Sequence, residues 1–202
     1  MLDRPLVLLD LETTGATAAF DRITEIGLIE VDNGKYLREW STLVNPQRRI
    51  PPFIESLTGI SNAMVERAPT FAAVSIELHA RLLGKLVVAH NARFDYGFLR
   101  AEFGRIDTVY LSELVCTVKL SRKLFPGHAR HNLDTLIERH DIICEARHRA
   151  LGDARVLWDL IEKWRVNPGT DALHAAVAAQ QLKPPASRPL PGAKTARSSA
   201  LT

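Results

Sequence analysis

At 202 residues and 46% hydrophobic content the chain can bury one core, and no stretch approaches the roughly 18 apolar residues a membrane span requires. Only Cys116 and Cys144 are present, which argues against a disulfide framework and for a cytoplasmic location, and the opening MLDRPLVLLDLETTG holds too short and too acidic an apolar run for a signal peptide. The net charge is +3, but Lys183, Arg188, Lys194 and Arg197 alone give +4, and subtracting them leaves −1 for residues 1–182, so the pI of about 9.0 belongs to the tail and not to a basic surface.

In chain order, Leu6–Leu11 reads as a central strand, followed by a loop containing Gly15. Ile23–Val31 and Lys35–Val44 read as two further strands, joined at Asp32-Asn33-Gly34, whose Asn-Gly pair is the strongest hairpin signal in the chain. Pro51-Pro52 and Ser61 open short helical turns, and Thr70 caps a helix running to about Leu83. Leu86–Ala89 is a short apolar strand leading to His90-Asn91 and a helix from Ala92 to about Phe103. Further helices are expected over 112–124, 132–140, 150–165 and 171–181. Early antiparallel strands and later helices on both faces make this a single-domain α/β fold over residues 1–182. Residues 183–202, KPPASRPLPGAKTARSSALT, lose apolar periodicity and read as a basic, disordered tail or linker.

The chemistry sits in four carboxylates and a histidine. Asp10 and Glu12 are two residues apart in an apolar strand, so both leave it on the same face. Like charges placed side by side and partly buried repel strongly, and a divalent cation between them is the simplest remedy. Asp95 follows in VVAHNARFD, and His148 and Asp153 in HRALGDA. Hard oxygen donors select Mg²⁺ or Mn²⁺ over zinc, and two such ions about 3.5–4 Å apart stabilise both the attacking and the leaving oxygen of a phosphoryl displacement. Asp10 is the natural bridging ligand, with Glu12 and Asp153 completing one ion and Asp95 serving the other. His148 titrates near neutrality and suits the role of general base toward the metal-bound water.

Other ionisable groups carry less. Glu25 reads as a supporting group or an edge acid and is assigned no metal. His140 reads as a helix C-terminal residue favoured by the dipole, and His128 with His131 falls short of a zinc ligand set. Lys119, Arg122, Lys123 and Arg130, with Arg147, Arg149 and Arg155 flanking the last acids, are candidate phosphate contacts.

DLETTG, HNARFD and HRALGDA resemble the three exonuclease motifs of the histidine-containing branch of the DEDD (DnaQ-like) family, which includes the proofreading epsilon subunit of bacterial DNA polymerase III. The likeness runs from about Pro5 to Trp164 and matches all five catalytic positions. It implies an RNase H-like mixed sheet flanked by helices and 3′→5′ hydrolysis of nucleic acid to nucleoside 5′-monophosphates, with two Mg²⁺ or Mn²⁺ ions. It also implies substrate contacts from Thr13, Thr14 and Gly15, from Thr58 in LTGI, and from Asn91 and Phe94. The partners so implied are single-stranded DNA or DNA 3′ ends, with RNA as the alternative, and polymerase or repair proteins. An RNase H-type endonuclease and a non-catalytic polymerase-associated module are the two other classes left open.

Overall fold

The computed structural model describes residues 3–180. Its sheet is built from β1 (Leu6–Thr13), β2 (Ile23–Asp32), β3 (Lys35–Leu43), β4 (Leu86–Ala89) and β5 (Leu114–Cys116), in the order β3-β2-β1-β4-β5. The first three strands are antiparallel neighbours, while β4 and β5 run parallel to β1. At the β2–β3 turn Asn33 and Gly34 both take positive φ, 47° and 69°, as the primed hairpin turn foreseen from that dipeptide requires.

The helices are α1 (Pro52–Thr58), α2 (Asn62–Glu66), α3 (Phe71–Leu82), α4 (Arg93–Arg105), α5 (Thr117–Leu124), α6 (Leu133–Arg139), α7 (Ala150–Trp164) and α8 (Thr170–Ala178). Ser61, Thr70 and Asn132 cap α2, α3 and α6 through their side chains, which satisfies amide donors that no helical carbonyl can reach. The chain does not form one helix over 112–124: residues 114–116 pair with β4 as an edge strand, and the helix begins only at Thr117. Three apolar residues feeding directly into a helix carry no period of their own, so strand and helix are indistinguishable there from sequence.

Alternation along β1 sorts the core into two layers. Leu6 and Leu8 face one side, with Trp164, Leu157, Leu160 and Ile161 of α7. Val7, Leu9 and Leu11 face the other, with Phe71 and Leu78 of α3 and Phe98 and Phe103 of α4. Asp10 and Glu12 continue the first series, so β1 delivers them to the layer covered by α7. Each fully buried large side chain contributes about 1.5–3 kcal/mol of apolar transfer free energy, enough to hold α7 against the strand that carries the acids.

Two glycines let α7 come close. A Cβ on Gly27, which pairs with Asp10, would lie 2.2 Å from the backbone at Ala150 and Leu151. A Cβ on Gly152 would lie 2.0 Å from the Ala146 carbonyl oxygen. Gly152→Ala is therefore expected to push the 144–149 loop off α7, costing about 1–3 kcal/mol of stability and lowering turnover, because that loop carries His148. Thermal melting and rate measurements on one preparation check this, and two unchanged values would refute it.

Candidate active site

β1 extends past the end of β4: their ladder stops at Leu8 and Val88, leaving the Asp10–Thr13 segment beyond it. A register irregularity between Glu12 and Thr13 shifts the pairing with β2, from Glu12 opposite Glu25 to Thr13 opposite Ile23, and bulges of this kind commonly re-aim side chains. The first turn of α7 lies over this segment and brings Asp153 to it. One carboxylate oxygen from each of Asp10, Glu12 and Asp153 lies within 4.8 Å of the others. Asp95, in the first turn of α4, reaches over the sheet from the opposite layer and is buried at 2% exposure. The Leu11 amide, left without a β4 partner, donates to the Asp95 carboxylate. Four acids separated by about 140 residues of sequence thus converge at the carboxyl ends of parallel strands, where α/β folds place ligands.

Burial and mutual repulsion make these acids resist ionisation. Burial raises Asp10, and Asp95, Asp153 and Glu12 add to it in that order. Burial likewise raises Asp95, with Glu12 contributing. Glu12 is pushed up to about 7 by burial first and by Asp153 and Glu25 next. Asp153 is pushed to about 6 by burial, against the lowering influence of Arg147. Asp153 Oδ1 is buried with no hydrogen-bond donor. A cluster of hard oxygens, one of them orphaned, fits a divalent cation and not a soft-ligand metal.

These shifts carry a sign. A carboxyl whose pKa is raised by folding favours the fold while protonated and opposes it as pH rises through the raised value. For the metal-free protein, the stability gained by Asp10→Asn over wild type is therefore expected to grow as pH rises from the ordinary carboxylate range through neutrality, and the stabilisation by added divalent ion to grow in parallel in wild type only. Melting curves across that range in chelator and in Mg²⁺ test this; a pH-independent difference would contradict it.

His148 occupies the loop before α7 in a left-handed conformation, φ 60°, and is half-buried. Burial, then the Arg147 charge, lower its imidazole pKa, so the ring is neutral near pH 7.

The surroundings differ from the sequence expectation at the arginines. Arg149 donates to both oxygens of Glu25, at 2.5 and 3.0 Å, and the Ala150 amide donates to the same carboxylate at 2.9 Å. Glu25 is paired directly with Glu12 across the β1–β2 ladder, so like charges face each other and Arg149 separates them. Glu25 thereby closes the N-terminus of α7, a role no local sequence signal announces. Arg155 is paired with Glu39, and Arg147 bridges Asp134 and Asp153. The three arginines expected as phosphate contacts are each engaged by acids, because the sheet presents Glu25 and Glu39, and α6 presents Asp134, toward the start of α7. Lys119, Arg122, Lys123 and Arg130 remain exposed on α5 and the loop after it.

Among the residues expected to contact substrate, the threonine hydroxyls are engaged within the fold. Thr13 Oγ1 donates to the Gly15 carbonyl at 2.7 Å, and Thr14 Oγ1 accepts from the Arg22 amide at 3.0 Å, so both shape the loop after β1. A Cβ on Gly15 would meet the Asp21 carboxylate at 2.6 Å, so this glycine is required by the loop itself. Thr58 Oγ1 donates to the Ile54 carbonyl and accepts from the Ile60 amide, closing α1. Asn91 is exposed with φ 63°, a conformation asparagine tolerates, and Phe94 is half-buried against Phe98 at 4.9 Å.

Three further histidines are engaged within the fold. His131 is held between Ser121 Oγ and the His128 carbonyl, both at 2.8 Å, which leaves no nitrogen for zinc. His140 does not act as a cationic helix cap: it accepts from Trp164 Nε1–H at 3.1 Å among aromatic rings, and burial lowers its pKa. His90 contacts Thr117 Oγ1 at 2.9 Å, and burial pushes its pKa down to about 4.

A five-stranded mixed sheet with this acidic cluster at the end of β1, closed by the N-terminus of α7, defines an RNase H-like nuclease fold. Residues 7–161 match the RNase T family model, described as exonuclease, and the chain belongs to that family. It is 37% identical over 154 residues to the DNA polymerase III subunit epsilon of Treponema pallidum, covering 75% of this chain and 72% of that relative. It is 39% identical over 168 residues to the 3′-5′ exonuclease DinG of Bacillus subtilis, covering 80% of this chain but 18% of that protein. Against the longer curated relatives it matches, the chain spans 11–27% of their length. Among solved structures, exonuclease X in complex with 5′-overhanging duplex DNA aligns with TM-score 0.68 at 27% identity, over 85% of this chain and 99% of that one. The family is divalent-metal dependent, and the carboxylate cluster offers the donors such an ion needs. No helix among the described residues is long and apolar enough to cross a membrane.

Proposed function

We propose that the chain is a 3′→5′ exonuclease that hydrolyses DNA from its 3′ end to nucleoside 5′-monophosphates with two Mg²⁺ or Mn²⁺ ions. The convergence of Asp10, Glu12 and Asp153 within 4.8 Å, beside a neutral His148, carries this reading. The ions, when bound, supply Lewis acidity at the scissile phosphate and lower the pKa of water. Asp10, Glu12 and Asp153 hold one ion, and Asp10 and Asp95 the other. His148 takes the proton of the attacking water at an imidazole nitrogen, for which it must be neutral.

The terminal nucleotide is taken up between the loop after β1, with Thr13, Thr14 and Gly15, the Thr58 turn, and Asn91 and Phe94 at the start of α4. The first two regions contribute backbone and shape, since their hydroxyls are already spent. Phe94 keeps an open side for a base or sugar to pack on. Lys119, Arg122 and Lys123 on α5 and Arg130 in the loop after it suit the upstream phosphates. Residues 1–182 make up the catalytic unit, and the basic segment 183–202, outside the described residues, adds at most an electrostatic tether to long strands. Two free cysteines fit a cytoplasmic enzyme, and DNA polymerases or repair proteins are its natural company.

DNA is the favoured substrate because the epsilon relative is a DNA polymerase subunit and exonuclease X was solved on DNA. Degradation of matched DNA and RNA strands in Mg²⁺ tests the choice. Faster loss of the DNA strand is expected, and a preference for RNA would reassign the substrate, since the 2′-OH is what such a site discriminates.

A further inference from the structure

Among the described residues, Arg147 is a cation inside the acidic cluster for which the mechanism above has no use. Its side chain is 27% exposed and its guanidinium spans two acids. One nitrogen, Nη1, donates to Asp153 Oδ2, and Nε donates to Asp134 Oδ1 at 2.6 Å. Asp134 stands in the first turn of α6, behind the Asn132 cap, and is mostly exposed. The arginine therefore ties a helix outside the site to a carboxylate inside it. The two oxygens of Asp153 are unlike: Oδ2 is gripped by Arg147, whereas Oδ1 is buried with no donor.

Two roles compete for such a residue. A guanidinium can occupy the place of the ion and be expelled by it, or it can hold the far oxygen of a ligand so that the near one is presented to the ion. The second fits the asymmetry. An arginine standing in for the ion would be expected to satisfy several of the converging oxygens, yet Arg147 donates to Asp153 alone among the four acids, and its other contacts are with Asp134 of α6 and, at 3.5 Å, with His148 Nδ1.

We propose that Arg147 is a positioning residue, clamped by Asp134, that fixes the Asp153 carboxylate with Oδ1 directed to a divalent cation. Groups that hold metal ligands from behind characteristically matter about 10–100-fold for metal affinity. The assignment rests on the metal-site reading of Asp10, Glu12 and Asp153, and its test separates the two.

Binding of Mn²⁺ alone, without nucleic acid, is measured by calorimetry and by electron paramagnetic resonance of the free ion. Arg147→Ala is expected to weaken binding about 10–100-fold. Arg147→Lys, which restores one donor to Oδ2 but loses the fork to Asp134, is expected to recover part of the loss. Asp134→Asn is expected to weaken binding less than Arg147→Ala. Far-ultraviolet circular dichroism confirms that each variant is folded, and Arg147→Gln replaces the alanine variant if that one is not. Unchanged or tighter Mn²⁺ binding in a folded Arg147→Ala or Arg147→Gln protein overturns the proposal and makes Arg147 a competitor of the ion or a bystander. Asp153→Asn serves as the reference: if it binds Mn²⁺ as wild type does, the metal-site reading itself fails, whatever Arg147 does.

Discussion

Replacing Asp10 by alanine is expected to abolish exonuclease turnover while leaving the metal-free protein at least as stable as wild type. Asp10 stands at the centre of the cluster, with a pKa raised by burial, Asp95, Asp153 and Glu12 together. Removing it deletes the proposed ligand shared by both ions, so charge stabilisation at the scissile phosphate is lost. The cost is expected to be about 10³-fold or more in kcat, the order seen when preorganised electrostatic stabilisation is removed from an active site. The same substitution relieves repulsion among the remaining acids, so melting in EDTA should not fall. Asp153→Asn should behave alike in turnover. Steady-state rates in Mg²⁺ with melting in EDTA check both halves; substantial residual activity of Asp10→Ala would remove Asp10 from the mechanism, and a collapse in stability would make its role architectural.

His148→Ala is expected to lower turnover by about 10²–10⁴-fold, the range of a positioned general base. Metal binding should change little, because hard cations gain nothing from imidazole in a site already supplied with carboxylates. Burial and Arg147 lower the His148 pKa, so at saturating metal the acid limb of activity should lie below the ordinary imidazole value of about 6.5. Below saturation, protonation of Glu12 and Asp153, raised to about 7 and about 6, weakens the metal and moves the limb upward. Profiles at two metal concentrations separate the causes. A variant that loses Mn²⁺ affinity yet regains full rate at saturating Mn²⁺ would show His148 to be a ligand or a support.

The parts of this site legible in sequence were those with a period or a motif. Alternation in β1 placed Asp10 and Glu12 on one face, and the hairpin at Asn33-Gly34 set β3 beside β2. The pairing of β2 with β1 puts Glu25 opposite Glu12, and nothing local in sequence predicts that Arg149, 124 positions later, would neutralise Glu25. Ion pairs between distant elements depend on how α7 lands on the sheet, and that is set by the whole core and by Gly27 beneath Ala150. The same cause removed Arg147, Arg149 and Arg155 from the set of free phosphate contacts. β5 was missed because three residues at a sheet edge, of which Val115 is buried, draw their strand character entirely from pairing with β4.

The central claim is metal-dependent hydrolysis that starts from a free 3′ end. A single-stranded DNA carrying a label on its 3′-terminal nucleotide, and a covalently closed circle of the same sequence, are incubated side by side with Mg²⁺ and with EDTA. The account predicts immediate release of labelled 5′-mononucleotide from the linear strand in Mg²⁺, none in EDTA, and an intact circle in both. Cleavage of the circle, or release of the label without a divalent ion, would contradict it.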